Sequence, residues 1–251
     1  MSEPEPAPVM CAELNPIDSA AAGCNVVDLR GIEVAEGFEA FEREMVRRFA
    51  PAVAFCRIPA EQLAAVRWIE ERGFRFAECQ IDLRRRLRRE DAAPVASYRW
   101  ERVTSRAELD LVLELAGSIF HHDRFSVDPD FGPAVSRRRY RAFVEKSFVD
   151  PAERVFVMKP IDGGEVVSFA TSRLVGAAEL RLLLGGIAER WEGCGLGAVH
   201  DALGLAAYFA EGIRVVHSVV SAINAPILNL EVGYFRFRVV GAHLVFKKRY
   251  R

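Results

Sequence analysis

Apolar residues at Phe38, Phe41, Met45 and Phe49 follow Gly37 at the three-to-four spacing of a helix buried on one side. Before them, residues 26–29 read as a short strand. After them, 52–58 is apolar with β-branched residues, and 60–72 is helical and stops at Gly73, the residue favoured at a helix C-terminus. Residues 74–87 then alternate apolar and polar with one slip of register. The pattern predicts β-α-β-α-β over residues 23–90, too short a span for a generous core and expected to dock on something larger. Residues 1–22, rich in Pro, Glu and Ala without periodicity, read as a flexible arm. The charged run 84–93, followed by Pro94, marks a linker placed at 91–97, and a second domain spans 98–251.

That domain opens with a strand at 98–103. Thr104 or Ser105 then caps a helix reaching about Phe120, with Leu109, Val112, Leu113, Ala116 and Ile119 on one face. A helix-breaking loop and a helix at 134–148 follow, then strands at 154–159, 165–174 and 179–188. The first two of these strands join across the turn signal Asp162-Gly163-Gly164. Beyond a glycine-rich turn come a helix at 195–211, a strand at 215–222, a short helix near 226–230 and two terminal strands, 235–240 and 243–250. The whole is a mixed α/β (α+β) chain.

Charge narrows the partners. Thirty-four basic residues against 35 acidic ones leave a net charge of −1, so no wholesale electrostatic grip on nucleic acid or membrane is expected. There is no apolar run long enough to span a bilayer, and the acidic, proline-rich start lacks the features of a signal peptide, which predicts a cytoplasmic protein. Five scattered cysteines form no CxxC pair, so neither a disulfide framework nor a cysteine zinc site is favoured, and no metal is expected.

The most informative segment is Ile187-Ala188-Glu189-Arg190-Trp191-Glu192-Gly193-Cys194-Gly195-Leu196-Gly197-Ala198. A strand runs into Gly-x-Gly-x-Gly and an amphipathic helix begins at once. Such a turn leaves backbone amides at a helix N-terminus without intrahelical acceptors, and the helix dipole favours an anion there. Glycine permits close approach and positive φ. The turn lies late in the chain, behind an antiparallel hairpin, which disfavours a dinucleotide-binding fold. No Gly-Lys-Ser/Thr follows, so it is not a Walker loop either.

The element order and this turn resemble the GNAT acyltransferase superfamily and its Q/R-x-x-G-x-G/A signature. Two registers are open. Arg190-x-x-Gly193-x-Gly195 matches literally, whereas Glu192-x-x-Gly195-x-Gly197, the preferred one, starts the helix at the family's distance but has Glu at its first position. The resemblance implies a GNAT fold, with a mixed, mostly antiparallel sheet flanked by helices and a smaller partial-GNAT domain at the N-terminus. It also implies acetyl-CoA as acyl donor. Glu192, Gly193, Cys194, Gly195, Leu196, Gly197 and Ala198 would hold its diphosphate, Ile187 and Ala188 would line the pantetheine arm, and Asn224, in Asn224-Ala225-Pro226, would touch that arm. Asn224 reads equally as a helix N-cap.

His122-Asp123-Arg124-Phe125-Ser126-Val127-Asp128-Pro129 and Tyr140-Arg141-Ala142-Phe143-Val144-Glu145 resemble a block of nucleotide-sugar N-acetyltransferases, of the dTDP-fucosamine (dTDP-4-amino-4,6-dideoxygalactose) type. That likeness implies an amino sugar on a nucleotide as acceptor, its amine attacking the thioester directly without a covalent enzyme intermediate. His121, Arg124, Phe125 and Tyr140 are the candidate acceptor residues. Phe125 reads also as core, and Asp128-Pro129 as a turn. The run Arg137-Arg138-Arg139-Arg141 could grip a diphosphate, though helical geometry is expected to turn at most one or two of them to one ligand.

The family's usual acid is a Tyr seven residues beyond the helix Asn. That position here is Glu231, and the next tyrosine is Tyr234. Tyr234, Glu231 and His122 are therefore the catalytic candidates, His122 as a base titrating near neutrality. Two alternatives stand beside the nucleotide-sugar reading: another small amine or a peptide N-terminus as acceptor, or a non-catalytic acyl-CoA-binding relative. The protein is expected to be a monomer or homodimer.

Overall fold

Asn15 and Gly23 bracket the first helix. In a computed structural model, which describes residues 10–32, 37–92, 97–120 and 123–250, the Asn15 side chain accepts from the Asp18 amide, Pro16 takes the first helical position and Gly23 closes α1 (Pro16–Ala22) in the left-handed conformation. This helix joins two antiparallel strands, β1 (Cys11–Leu14) and β2 (Val26–Arg30), with Cys11 opposite Arg30. Residues 10–22, part of the segment expected to be a loose arm, are thus ordered. Their order comes from local caps and strand pairing rather than from a periodic apolar face.

The chain folds into two contact units, Met1–Gln80 with Gly241–Arg251, and Ile81–Val240. In the first, α2 (Phe38–Phe49) carries β2 over to a parallel β3 (Val53–Pro59), with Val26 opposite Val53. Helix α3 (Leu63–Glu71) and the first part of β4 (Arg75–Arg86), up to Gln80, follow. The unit is completed by the end of the chain. Strand β10 (Arg238–Arg249) pairs antiparallel with β3, from His243 opposite Pro59 to Arg249 opposite Val53. Phe38, Ile58, Ile69, Phe74 and Phe246 form its core. The two terminal strands expected at 235–240 and 243–250 are therefore one. The domain expected at 23–90 takes in residues far away in sequence, since the strand that covers β3 comes from the C-terminus.

In the second unit, β5 (Tyr98–Arg102), β6 (Glu153–Pro160), β7 (Ser168–Gly176) and β8 (Glu179–Ile187) pair antiparallel in that order, and β9 (Val215–Ser221) joins β8 in parallel. Helices α4 (Arg106–Ala116) and α6 (Pro133–Val149) pack with Val103, Val155, Val157 and Phe169 through Leu109, Val112 and Val144, all buried. Each such side chain contributes about 1.5–3 kcal/mol. Ser105 caps α4 by accepting from the Glu108 amide. The one-turn helix α5 (Arg124–Val127) lies between α4 and α6. Helix α7 (Leu196–Ala210) packs in a separate cluster, Leu205 and Tyr208 against Phe156, Leu180 and Val216. Gly204 lets it approach closely, since a Cβ there would lie 3.3 Å from the Trp100 ring.

Glu153 is a buried carboxylate with every need met. Lys146, Ser147 (2.6 Å) and Arg173 (3.1 Å) all reach it, tying the end of α6 to β6 and β7.

Candidate active site

Strands β8 and β9 begin together and then part. Glu179, Leu180 and Arg181 pair with Val215, Val216 and His217, and no further pairs form, although β8 runs on to Ile187 and β9 to Ser221. A bulge in β8 accompanies the split. Thr171 of β7 faces Leu184 while Ser172 faces Leu182, so Leu183 is the extra residue, and the Leu184 amide donates to the Thr171 hydroxyl at 3.1 Å. A bulge bends its strand and increases its twist, which turns the end of β8 away from β9. The result is a wedge between two strand edges whose peptide groups have no ladder partner across it.

The glycine turn follows at the end of β8. Residues Glu189–Trp191 form a 3₁₀ turn, and Gly193 and Gly195 have φ of +74° and +75°. A Cβ at either would find nothing within 4 Å, so their backbone borders open space. Gly195 precedes α7 and provides no side-chain cap. The Cys194 amide donates to Trp191 and that of Ala198 to Gly195. The amides of Gly193, Gly195, Leu196 and Gly197 have no main-chain acceptor among the described residues. Four donors thus stand at the positive end of a 15-residue helix, an arrangement that favours negative charge.

The two left-handed glycines are those of Arg190-x-x-Gly193-x-Gly195. Gly197, which belongs to the Glu192 register, is helical and would bring a Cβ 3.4 Å from Leu230. Arg190 pairs with Glu165, Cys194 is exposed, and Glu189 and Glu192 are exposed carboxylates beside the turn.

Asn224 caps the one-turn helix α8 (Ala225–Leu228), accepting from the Ile227 amide at 3.4 Å. A π-helical turn, Asn229–Tyr234, continues from it and sets the two acid candidates apart. Tyr234 is 68% exposed, with its ring on Phe235. Glu231 is 6% exposed and accepts a 3.0 Å hydrogen bond from Ser218 at Oε1, while Oε2 is buried without a partner. Ser218 is the first residue of β9 beyond its pairing with β8, so the carboxyl is held where the strands separate. Burial, and then the Asp201 charge on α7, push the Glu231 pKa up to about 8 against the pull of Ser218. Asp201 is itself raised to about 7 by burial, opposed by Arg85. At neutral pH Glu231 keeps its proton.

Asp201, Ser218 and the Leu183 bulge were not legible in the sequence. Nor was His200, which meets the Ser168 hydroxyl through Nδ1 at 2.7 Å and is lowered to about 4 by burial, hence neutral. A polar residue within an amphipathic helix carries no sign of what it faces.

The expected acceptor residues separate. His121 and His122 lie outside the described residues. Phe125 is fully buried against Phe131, and Tyr140 is nearly buried and stacked on Phe120 at 3.9 Å. Arg124 lies over the Phe125 ring at 5.0 Å. Asp123 caps α5 and accepts from Ser136 at 2.8 Å, while Asp128 accepts from the Asp130 amide as a turn former. Much of this block thus builds the loop between α4 and α6.

No known protein-family profile and no curated protein sequence matches the chain. Solved structures do. A GCN5-related N-acetyltransferase from Sphaerobacter thermophilus superposes with a TM-score of 0.63 at 17% identity, covering 95% of this chain and 76% of that one. A conserved protein of unknown function from Staphylococcus epidermidis gives 0.65 at 13% identity, covering 90% and 85%. A tandem GNAT protein from the clavulanic acid biosynthesis pathway gives 0.59 at 14%, covering 89% and 75%. The fold is that of the GNAT N-acetyltransferases: mixed α/β, with a mostly antiparallel sheet flanked by helices.

Proposed function

We propose that the protein is an acyl-CoA-dependent N-acetyltransferase acting on a small amine, with acetyl-CoA as donor and an amino sugar linked to a nucleotide as acceptor. The observation that carries this reading is the pairing of an open glycine turn, with four unengaged amides at the mouth of α7, and a strand split starting at the other end of β8. The turn fits a diphosphate, and the split fits a thin chain that hydrogen-bonds to strand edges as a third strand would. Acetyl-CoA has both parts and supplies an activated acyl group.

In this reading the amides of Gly193, Gly195, Leu196 and Gly197 hold the diphosphate, and the edge of β8 near Ile187 and Ala188 orients the thioester and polarises its carbonyl. The neutral acceptor amine attacks that carbonyl carbon, a C–N bond forms and the C–S bond breaks. Glu231, protonated at neutral pH and anchored by Ser218, gives its proton to the departing sulfur. The amine nitrogen loses one proton to solvent, from which Glu231 is reprotonated, so protons balance. Tyr234, on the surface, has no part in the step. The nucleotide-sugar acceptor rests on the sequence likeness around Arg124 and Tyr140.

Gly195→Asp tests the reading. Asp tolerates left-handed backbone and nothing crowds the position, so the fold is retained, while a carboxylate enters the anion site. Calorimetry is expected to show acetyl-CoA affinity reduced at least a hundredfold with the thermal transition little changed. Normal affinity would remove the coenzyme from this turn.

A further inference from the structure

The arginines of α6 do not scatter as the sequence suggests. Arg137, Arg138 and Arg141 line one open recess of about 420 Å³, together with Glu114, Gly117 and Ser118 at the end of α4. Helical geometry explains it. At about 100° per residue, positions i, i+1 and i+4 fall within one sector of roughly 100°, whereas i+2 points well away. Arg139 occupies that other direction, its guanidinium over Phe125 at 4.4 Å and over Phe143 at 4.6 Å. Arg137, Arg138 and Arg141 line it with one carboxylate, Glu114, so basic side chains outnumber the acidic one in its lining. Ala134 in the first turn of α6 also lines it, adding the positive end of a 17-residue helix.

The recess lies next to the chemistry assigned above. Ser118 is part of its wall, and the following residue, Ile119, lies against β8 so closely that a Cβ on Gly186 would come 2.3 Å from its Cδ1. Gly186 immediately precedes Ile187, where the thioester is placed. The wall of the recess and the residue packed on β8 are therefore neighbours in the short segment that follows α4. Arg141 is partly engaged, one guanidinium nitrogen donating to the Leu113 carbonyl at 3.2 Å.

We infer that this recess between the end of α4 and the start of α6 binds the phosphate-bearing part of the acceptor through Arg137, Arg138 and Arg141. Guanidinium forks match phosphate oxygens two at a time, which lysines at these positions would not do. The acceptor role rests on the acyltransferase reading, whereas the binding of phosphate here does not.

Calorimetry on the full chain tests both parts, with inorganic pyrophosphate, uridine diphosphate and glucosamine 6-phosphate as probes. The Gly195→Asp protein is used so that the turn at α7 takes none of them. At least one probe is expected to bind, more weakly as salt rises, and to lose tenfold or more in affinity in Arg137→Glu. The tightest of the three identifies the source of the phosphate. Arg137 is exposed, so its reversal leaves the fold intact, and acetyl-CoA affinity measured on Arg137→Glu alone is expected to be unchanged. Arg141→Gln, which keeps a donor for Leu113, is expected to weaken the same probe. No binding by any probe, or equal affinity with and without Arg137, overturns the inference. Loss of acetyl-CoA binding to the unaltered chain would instead overturn the acyltransferase reading.

Discussion

Glu231 links the proposed chemistry to a stability measurement that needs no substrate. Its carboxyl ordinarily ionises near 4.5 and is held in the fold up to about 8, first by burial and then by Asp201. Between these values the folded chain keeps a proton that the unfolded chain releases. Stability from this group is complete below pH 4.5, falls as pH rises towards 8 and is flat above it. At about 1.4 kcal/mol for each tenfold change in the ionisation constant, the whole window is worth about 5 kcal/mol as an upper bound. Asp201 titrates in an overlapping range, so the pair loses its protons in two shared steps. Glu231→Gln keeps the shape and the Ser218 contact and removes the charge. The variant is expected to lie within about 1 kcal/mol of the wild type at pH 5 and to exceed it by about 2–5 kcal/mol at pH 9. Urea unfolding in a Trp68→Phe background reads this, because Trp100 and Trp191 then report only on the second unit. Taking the difference between variant and wild type cancels groups that do not interact with Glu231, His200 included. Parallel curves from pH 5 to pH 9 would show that Glu231 ionises normally, and its role as proton donor would go with that result.

Tyr234→Phe is expected to leave turnover and acetyl-CoA affinity unchanged, because the hydroxyl stands on an exposed ring; a marked fall in turnover would return the acid role to it. Gly186→Ala drives a methyl into Ile119 and is expected to cost about 1–3 kcal/mol in urea unfolding. Ile119→Ala in the same chain should recover part of that, and simple additivity of the two costs would refute the contact. His200, lowered to about 4 by burial, lets the unfolded chain bind the extra proton below pH 6.5, so stability is present above that pH and falls as pH drops to about 4. His200→Gln is expected to flatten this acid limb, and an unchanged limb would place the loss elsewhere.

The sequence alone determined the helices and strands whose apolar faces have a clear period. α2, α4, α6 and α7 fall close to where their spacing puts them, because a residue's place on a helix follows from its neighbours three and four positions away. It also determined the glycine turn before α7, since positive φ at successive alternate positions is a local demand that glycine alone meets cheaply. Tertiary structure decided everything that depends on what lies opposite. The strand covering β3 comes from the far end of the chain, which no local pattern reveals. Phe125 and Tyr140, chosen for their rings, are core residues, while Asp201 and Ser218, unremarked in sequence, surround the raised carboxyl of Glu231. Whether a carboxyl is an acid at neutral pH depends on solvent and charge brought to it by other elements, and that is a property of the packed fold rather than of the residue.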